Sequence, residues 1–302
     1  MGEAAVGWLV LGVALHLANQ VLRGRGWCAI VRTAAGGDGG LRRRDAIAAW
    51  VAGAGAGGLV SARGGDAVRV LLLRRRMPEA GCPMLAGTLV AEGAGECATG
   101  AMLLAIAVVI GVGPQLGAST ATVVLVAVAL ALIATLLVTA RRFPRARRIA
   151  AGVGRGCAPL RAPGAYARCV FPWQLGSRAC RLGALACFLA AFGIPATPAA
   201  VLLIAFAQGG SRMLPFAPAS VGAGVALVAA SFGPVTGSAV SAERLAAFYI
   251  GTSTLLTVVG TALALAICLR DQTLANAGRS ALAAAAGAGR RLLARAATVP
   301  TP

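Results

Sequence analysis

The sequence predicts an all-α, polytopic membrane helix bundle with five to seven crossings and one or two re-entrant segments. Three observations carry this. Of 302 residues, 58% are apolar and 12% charged, too little polar surface to cover a soluble domain of this length. Several apolar runs approach the roughly 20 residues that cross a hydrocarbon slab about 30 Å thick. All 28 basic residues are Arg, and most sit in clusters between those runs, as the positive-inside rule places them. The net charge of +19 is therefore topology charge. A nucleic-acid reader would need a basic face with base-reading groups on a soluble fold, so no nucleic-acid partner is expected.

The first crossing is expected over Ala4 to Leu22. No basic residue precedes it, which favours a permanent helix over a cleaved leader. It ends in the stretch Arg23 to Arg44, with six Arg, which is assigned to the cytoplasm. Asp45 to Ala62 is apolar but interrupted by Gly53, Gly55, Gly57 and Gly58, and five more Arg follow between Arg63 and Arg76. A crossing there would put those five outside, so this run is expected to enter and return on one side, its free backbone groups buried in protein or lining a wet cavity.

Met84 to Val112 is long enough to cross with tilt, although it carries Glu92 and Glu96. Thr120 to Ala140 is a clean crossing. The linker 141–168 holds eight Arg and divides the chain into halves of about 1–140 and 169–270, arranged as an inverted repeat would be. Gln174 to Phe192 is the next crossing, with Arg178 and Arg181 expected to snorkel to the interface. Two shorter pieces, Pro198 to Leu214 and Val221 to Phe232, flank a hinge at Pro215, and a last crossing runs over Leu245 to Leu269. From Arg270 onward an Ala-rich tail (271–302) is expected against anionic lipid. These assignments put the N-terminus outside and the C-terminus in the cytoplasm of a cell inner (plasma) membrane.

Ionisable groups inside apolar segments are the places to look for function, because each costs roughly 2.5–3.5 kcal/mol at the bilayer centre on insertion scales. Glu92 and Glu96, four apart, share a helical face and need cationic partners, so at least one of them is expected in a protein-enclosed polar cavity near Arg63 or Arg69, facing the Pro215 hinge. Arg63, Asp66 and Arg69 share another face, and a guanidinium left over from the Asp could meet a phosphate bidentately. Arg74, Arg75 and Arg76 read as plain loop charge. The hinge residues Pro215, Pro218, Gly222 and Gly224 break a helix and permit close approach, with Arg212 beside them as another phosphate partner. Discontinuous segments at corresponding places in two halves point to a transport site; here they are Gly53 to Asp66 and Pro215 to Gly224. His16, the one histidine, is expected to hydrogen-bond a neighbouring helix.

No metal or cofactor site is expected: the eight cysteines contain no CxxC pair and no Cys/His cluster. No nucleophile stands beside a base and no Gly-rich loop precedes a Lys, so the residues assemble no enzyme site.

The stretch LVSARGGDAVRVLLLRRR, followed by Glu92 and Glu96, resembles the first block of the lysylphosphatidylglycerol synthase transmembrane-region family, flippase-like integral membrane proteins. The family pattern Arg-x-Gly-Glu/Asp-x-x-Arg is matched at Arg63, Gly65, Asp66 and Arg69. A following Glu-Arg-x-x-Asp is matched at Glu92 and Glu96, with Gly93 in the Arg position. Trp27 in LRGRGW matches an Arg-Trp pair, and Pro218 to Gly224 is similar to a Pro-Gly-Gly-x-Gly block, with Ala219 and Ser220 in place of two glycines and no following Glu. The resemblance spans about residues 5–270. It implies a protein that moves a phospholipid or polyprenyl-linked lipid between leaflets, without the soluble aminoacyl-transferase domain of larger members. The alternative is a non-catalytic accessory protein whose arginine-rich loops bind anionic lipid or a partner enzyme; self-association is a further possibility for its partners.

Overall fold

The computed structural model describes residues 3–37, 40–59, 62–109, 144–211 and 217–270. The expected crossing at 120–140, the tail 271–302, Arg212 and Pro215 lie outside the described residues. Those described form ten α-helices and one short 3-10 turn, with no strand among them. They are α1 (Glu3–Ala34), α2 (Arg43–Leu59), α3 (Ala62–Arg76), α4 (Cys82–Val109), α5 (Pro144–Gly156), the 3-10 turn Ala158–Arg161, α6 (Pro163–Cys169), α7 (Phe171–Ala191), α8 (Pro198–Ser211), α9 (Ala217–Thr236) and α10 (Ala242–Arg270). Three of them, at Glu3–Ala34, Cys82–Ala107 and Ala242–Arg270, are long and apolar enough to cross a bilayer. The chain is a multi-pass membrane protein.

Local chemistry sets several boundaries. Prolines open α5, α6 and α8, where the missing amide would have had no intrahelical partner. Thr197 caps α8 by accepting from the Ala200 amide at 3.2 Å. α7 stops at Gly193, whose φ of +66° suits glycine, and the Ile194 amide turns back to the Leu189 carbonyl at 3.0 Å in a Schellman closure.

Two expectations about the first half are corrected. The first helix does not end at Leu22 but continues to Ala34, because Arg23, Gly24, Arg25 and Gly26 have neighbouring helices to satisfy them. Gly24 abuts the Ile47 and Trp50 region of α2, and Gly26 abuts Trp173. The second correction concerns 45–62, which does not turn back on itself. Its residues form most of α2, a helix of 17 residues and about 26 Å, and the return is made by α3, whose last turn, Arg74–Arg76, the sequence had suggested was loop. The pair is antiparallel: a Cβ on Gly65 would collide with the Gly53 carbonyl and with Gly57, and one on Gly53 with Arg69. Small residues let the two backbones touch, and the basic ends Arg43–Arg44 and Arg74–Arg76 thus fall at the same end of the pair.

Two apolar cores result. One joins α1 to α4 through Trp27, Val31, Trp50, Leu73 and Leu85. The other joins α7 to α10 through Leu185, Phe188, Ile204, Phe232 and Phe248. The cores are tied together by the packing of α1 on α7 and of α2 on α10, the latter a contact in which Gly55 leaves no room for a side chain against the Gly260 backbone.

Candidate functional site

Between the cores lies an open cavity of about 560 Å³, lined by α1, α2, α3, α4, α7, α8 and α10. Its charged lining is Arg23, Arg69 and Arg181 against Asp66, Glu92 and Glu96, three cations and three anions. His16, Gln20, Gln208, Tyr249, Ser253 and Thr257 add polar groups. The wall is polar because ionisable groups on membrane helices are tolerated only where they face each other or water.

Glu92 and Glu96 are held by a residue assigned from sequence to a cytoplasmic loop. Arg23 Nη2 lies 2.5 Å from Glu92 Oε1 and 2.6 Å from Glu96 Oε1. The two carboxylates lie one turn apart on α4, so one guanidinium spans both. Glu92 is the more enclosed, its side chain 9% exposed against 34% for Glu96. Arg178 adds a second cation: its Nη2 donates to the Glu96 carbonyl at 3.1 Å and its Nε to Thr99 Oγ1 at 3.2 Å. It also stands 3.9 Å from Glu96 Oε1.

Arg178 and Arg181 therefore do not snorkel to the interface. The carboxylates of α4 and Gln208 of α8, which accepts from Arg181 Nη2 at 3.3 Å, offer nearer partners within the protein. Arg23, Arg178 and Arg181 are the site residues that the sequence reading passed over. The available signal was two carboxylates in an apolar helix, which demanded cations from somewhere.

Asp66 and Arg69 form an ion pair at 2.8 Å on α3. Arg69 also stacks on Trp50, its Cζ 3.8 Å from the ring centroid, and Arg23 lies 4.8 Å from the same centroid. Trp50 is fully buried and is fixed by donating from Nε1 to Gln20 Oε1 at 3.1 Å. Its ring thus links the two arginine systems through cation–π contact. Trp27 packs 5.8 Å from Trp50 and donates to Thr88 at 3.0 Å, fixing the indole pair between α1 and α4.

The sequence placed at least one of the carboxylates near Arg63 or Arg69 and facing the Pro215 hinge. Arg69 does line their cavity, but their direct partner is Arg23, because α1 and not α3 presents a guanidinium to that face of α4. Arg63 falls at the start of α3, and its side chain lies outside the described residues, as does that of Pro218. Gly222 is exposed, Gly224 packs against the Tyr249 ring, and neither lines the cavity. Arg74, Arg75 and Arg76 are exposed, away from it. His16 lines the cavity one turn from Gln20, their side-chain nitrogens 3.3 Å apart.

Behind Glu92 stands a second layer. Gln174 Nε2 donates to the Glu92 carbonyl at 3.2 Å and to the Tyr166 hydroxyl at 3.2 Å, and Tyr166 donates to the Ala91 carbonyl at 2.9 Å. Burial raises the Tyr166 phenol above its ordinary range, so it remains a donor at neutral pH.

Neither a curated protein nor a solved structure matches the chain. The family model described as lysylphosphatidylglycerol synthase TM region matches residues 2–264, the span that builds both cores and every wall of the cavity. The chain belongs to the lysylphosphatidylglycerol synthase transmembrane-region family.

Proposed function

We propose that the protein is a lipid flippase-like transporter that passes the headgroup of a phospholipid or polyprenyl-linked lipid through the cavity between its two cores. The observation that carries this reading is the cavity itself, whose wall sets three cations against three anions, with Arg23, Glu92 and Glu96 on helices long enough to cross a bilayer. A phosphate would otherwise leave water at high cost. Here it would meet Arg69 and Arg181, while the two more exposed carboxylates, Asp66 and Glu96, receive the polar or cationic part of the headgroup. Arg23 is the residue that holds Glu92 and Glu96 in place. No bond to the lipid need form or break, so the role is transport without catalysis. The setting is a bacterial-type inner membrane with the arginine-rich linker on the cytoplasmic side.

The test is reconstitution in vesicles carrying headgroup-labelled lipids, with label in the outer leaflet destroyed by an impermeant reductant. Protein should convert the part of the signal protected in protein-free vesicles into accessible signal. Loss of that effect in Arg69→Ala, in protein that still reconstitutes, supports the reading; wild-type vesicles identical to protein-free ones would reject it.

A further inference from the structure

The segment from Pro144 to Cys169 is more than a connector. α5 lies with its backbone against the first turns of α4: side chains at Gly152 and Gly156 would collide with Pro83 and with the Met84 and Gly87 backbone. Cys157 Sγ donates to the Gly87 carbonyl at 3.4 Å and Tyr166 to the Ala91 carbonyl. The segment is thus fastened to α4 at two points just before Glu92.

Its other face is uncovered. Arg147, Arg148, Arg155, Arg161 and Arg168 are all exposed, and no Asp or Glu occurs between Glu96 and Glu243, so the segment carries no counter-ion of its own. Ile149 and Leu160, 55% and 38% exposed, stand among these arginines. Exposed apolar side chains between guanidiniums suit the boundary of headgroups and acyl chains, and the segment rests at the end of α4, a membrane-spanning helix. A soluble polyanion would satisfy the arginines but leave the apolar pair in water.

We propose that Pro144–Cys169 is a docking surface for the anionic lipid of the leaflet it faces, a strap whose lipid contact is passed to the α4 turn bearing Glu92. This goes beyond the transport reading and does not depend on it.

The test uses hydrogen–deuterium exchange on the full chain in nanodiscs of phosphatidylcholine alone or with roughly one-third phosphatidylglycerol. Anionic lipid should slow exchange in residues 144–162 by about fivefold, and high salt should reverse this. Protection should vanish in Arg147→Gln/Arg148→Gln/Arg155→Gln and persist in the corresponding triple Lys variant, with exchange in α1 unchanged as the control for folding. Equal exchange in the two membranes, or protection that survives the Gln substitutions, overturns the proposal. So does protection that appears only when an acidic protein or nucleic acid is added.

Discussion

Arg23 Nη2 lies 2.5 Å from Glu92 Oε1 although 69 positions separate the two residues, and the same nitrogen reaches Glu96. Removing one partner of a buried ion pair leaves the other uncompensated, typically at a cost of about 3–5 kcal/mol. Arg23→Gln should therefore lower the thermal unfolding midpoint in detergent more than any neutralisation on α3. Adding Glu92→Gln and Glu96→Gln to the same chain should restore most of the loss. A triple variant no more stable than Arg23→Gln alone would show that the three groups do not act as one unit.

The α2–α3 pair depends on backbone contact at Gly65. Gly65→Val would drive a branched side chain into the Gly53 carbonyl, and overpacking of this kind costs about 1–3 kcal/mol or more. The expected outcome is lower yield and a lower unfolding midpoint, whereas Gly93→Val, where a Cβ meets nothing within 4 Å, should change neither by much. Size-exclusion profiles and melting curves of the two variants make the comparison.

Two cysteines of the strap should label unequally. Cys169 is exposed, while burial raises the Cys157 thiol above its usual range and its Sγ donates to Gly87. The thiolate is the reacting form, so at neutral pH maleimide should modify Cys169 at least about tenfold faster. The Cys157 rate should climb as pH rises toward its elevated pKa. Mass spectrometry of timed digests reads both; equal rates would contradict the packing of α5 on α4.

The fold class was legible because long apolar runs and arginine clusters follow from the bilayer alone. The need of Glu92 and Glu96 for cationic partners was legible for the same reason. What was not legible was the partner. Counting charge puts Arg23, Arg178 and Arg181 at membrane edges, since their membrane-facing alternatives depend on which helix packs against α4, and a helix apolar all round carries no directional pattern. The extension of α1 past Arg23 and the turn made by α3 were hidden likewise, because contacts to Trp50, Trp173 and Gly53 override the local signal of basic and glycine residues.

Arg69 and Arg75 are six residues apart and should behave differently. Arg69 lines the cavity, pairs with Asp66 and stacks on Trp50, whereas Arg75 is exposed at the end of α3. Arg69→Ala should cut the lipid movement rate by on the order of tenfold or more, the loss expected for one charge-assisted contact of about 1.5–3 kcal/mol. Arg75→Ala should stay within about twofold, as surface substitutions do. Initial rates in vesicles of matched protein content distinguish them.

Passage of a headgroup through this cavity can be probed by filling the cavity without touching its charges. Thr257 lines the cavity from α10, while Leu265 on the same helix is 58% exposed on the outer surface. Vesicle assays of Thr257→Trp and Leu265→Trp, each verified as folded and reconstituted, give the comparison. Thr257→Trp should abolish lipid movement and Leu265→Trp should retain it; equal rates for the two, both close to wild type, would rule out passage through the cavity.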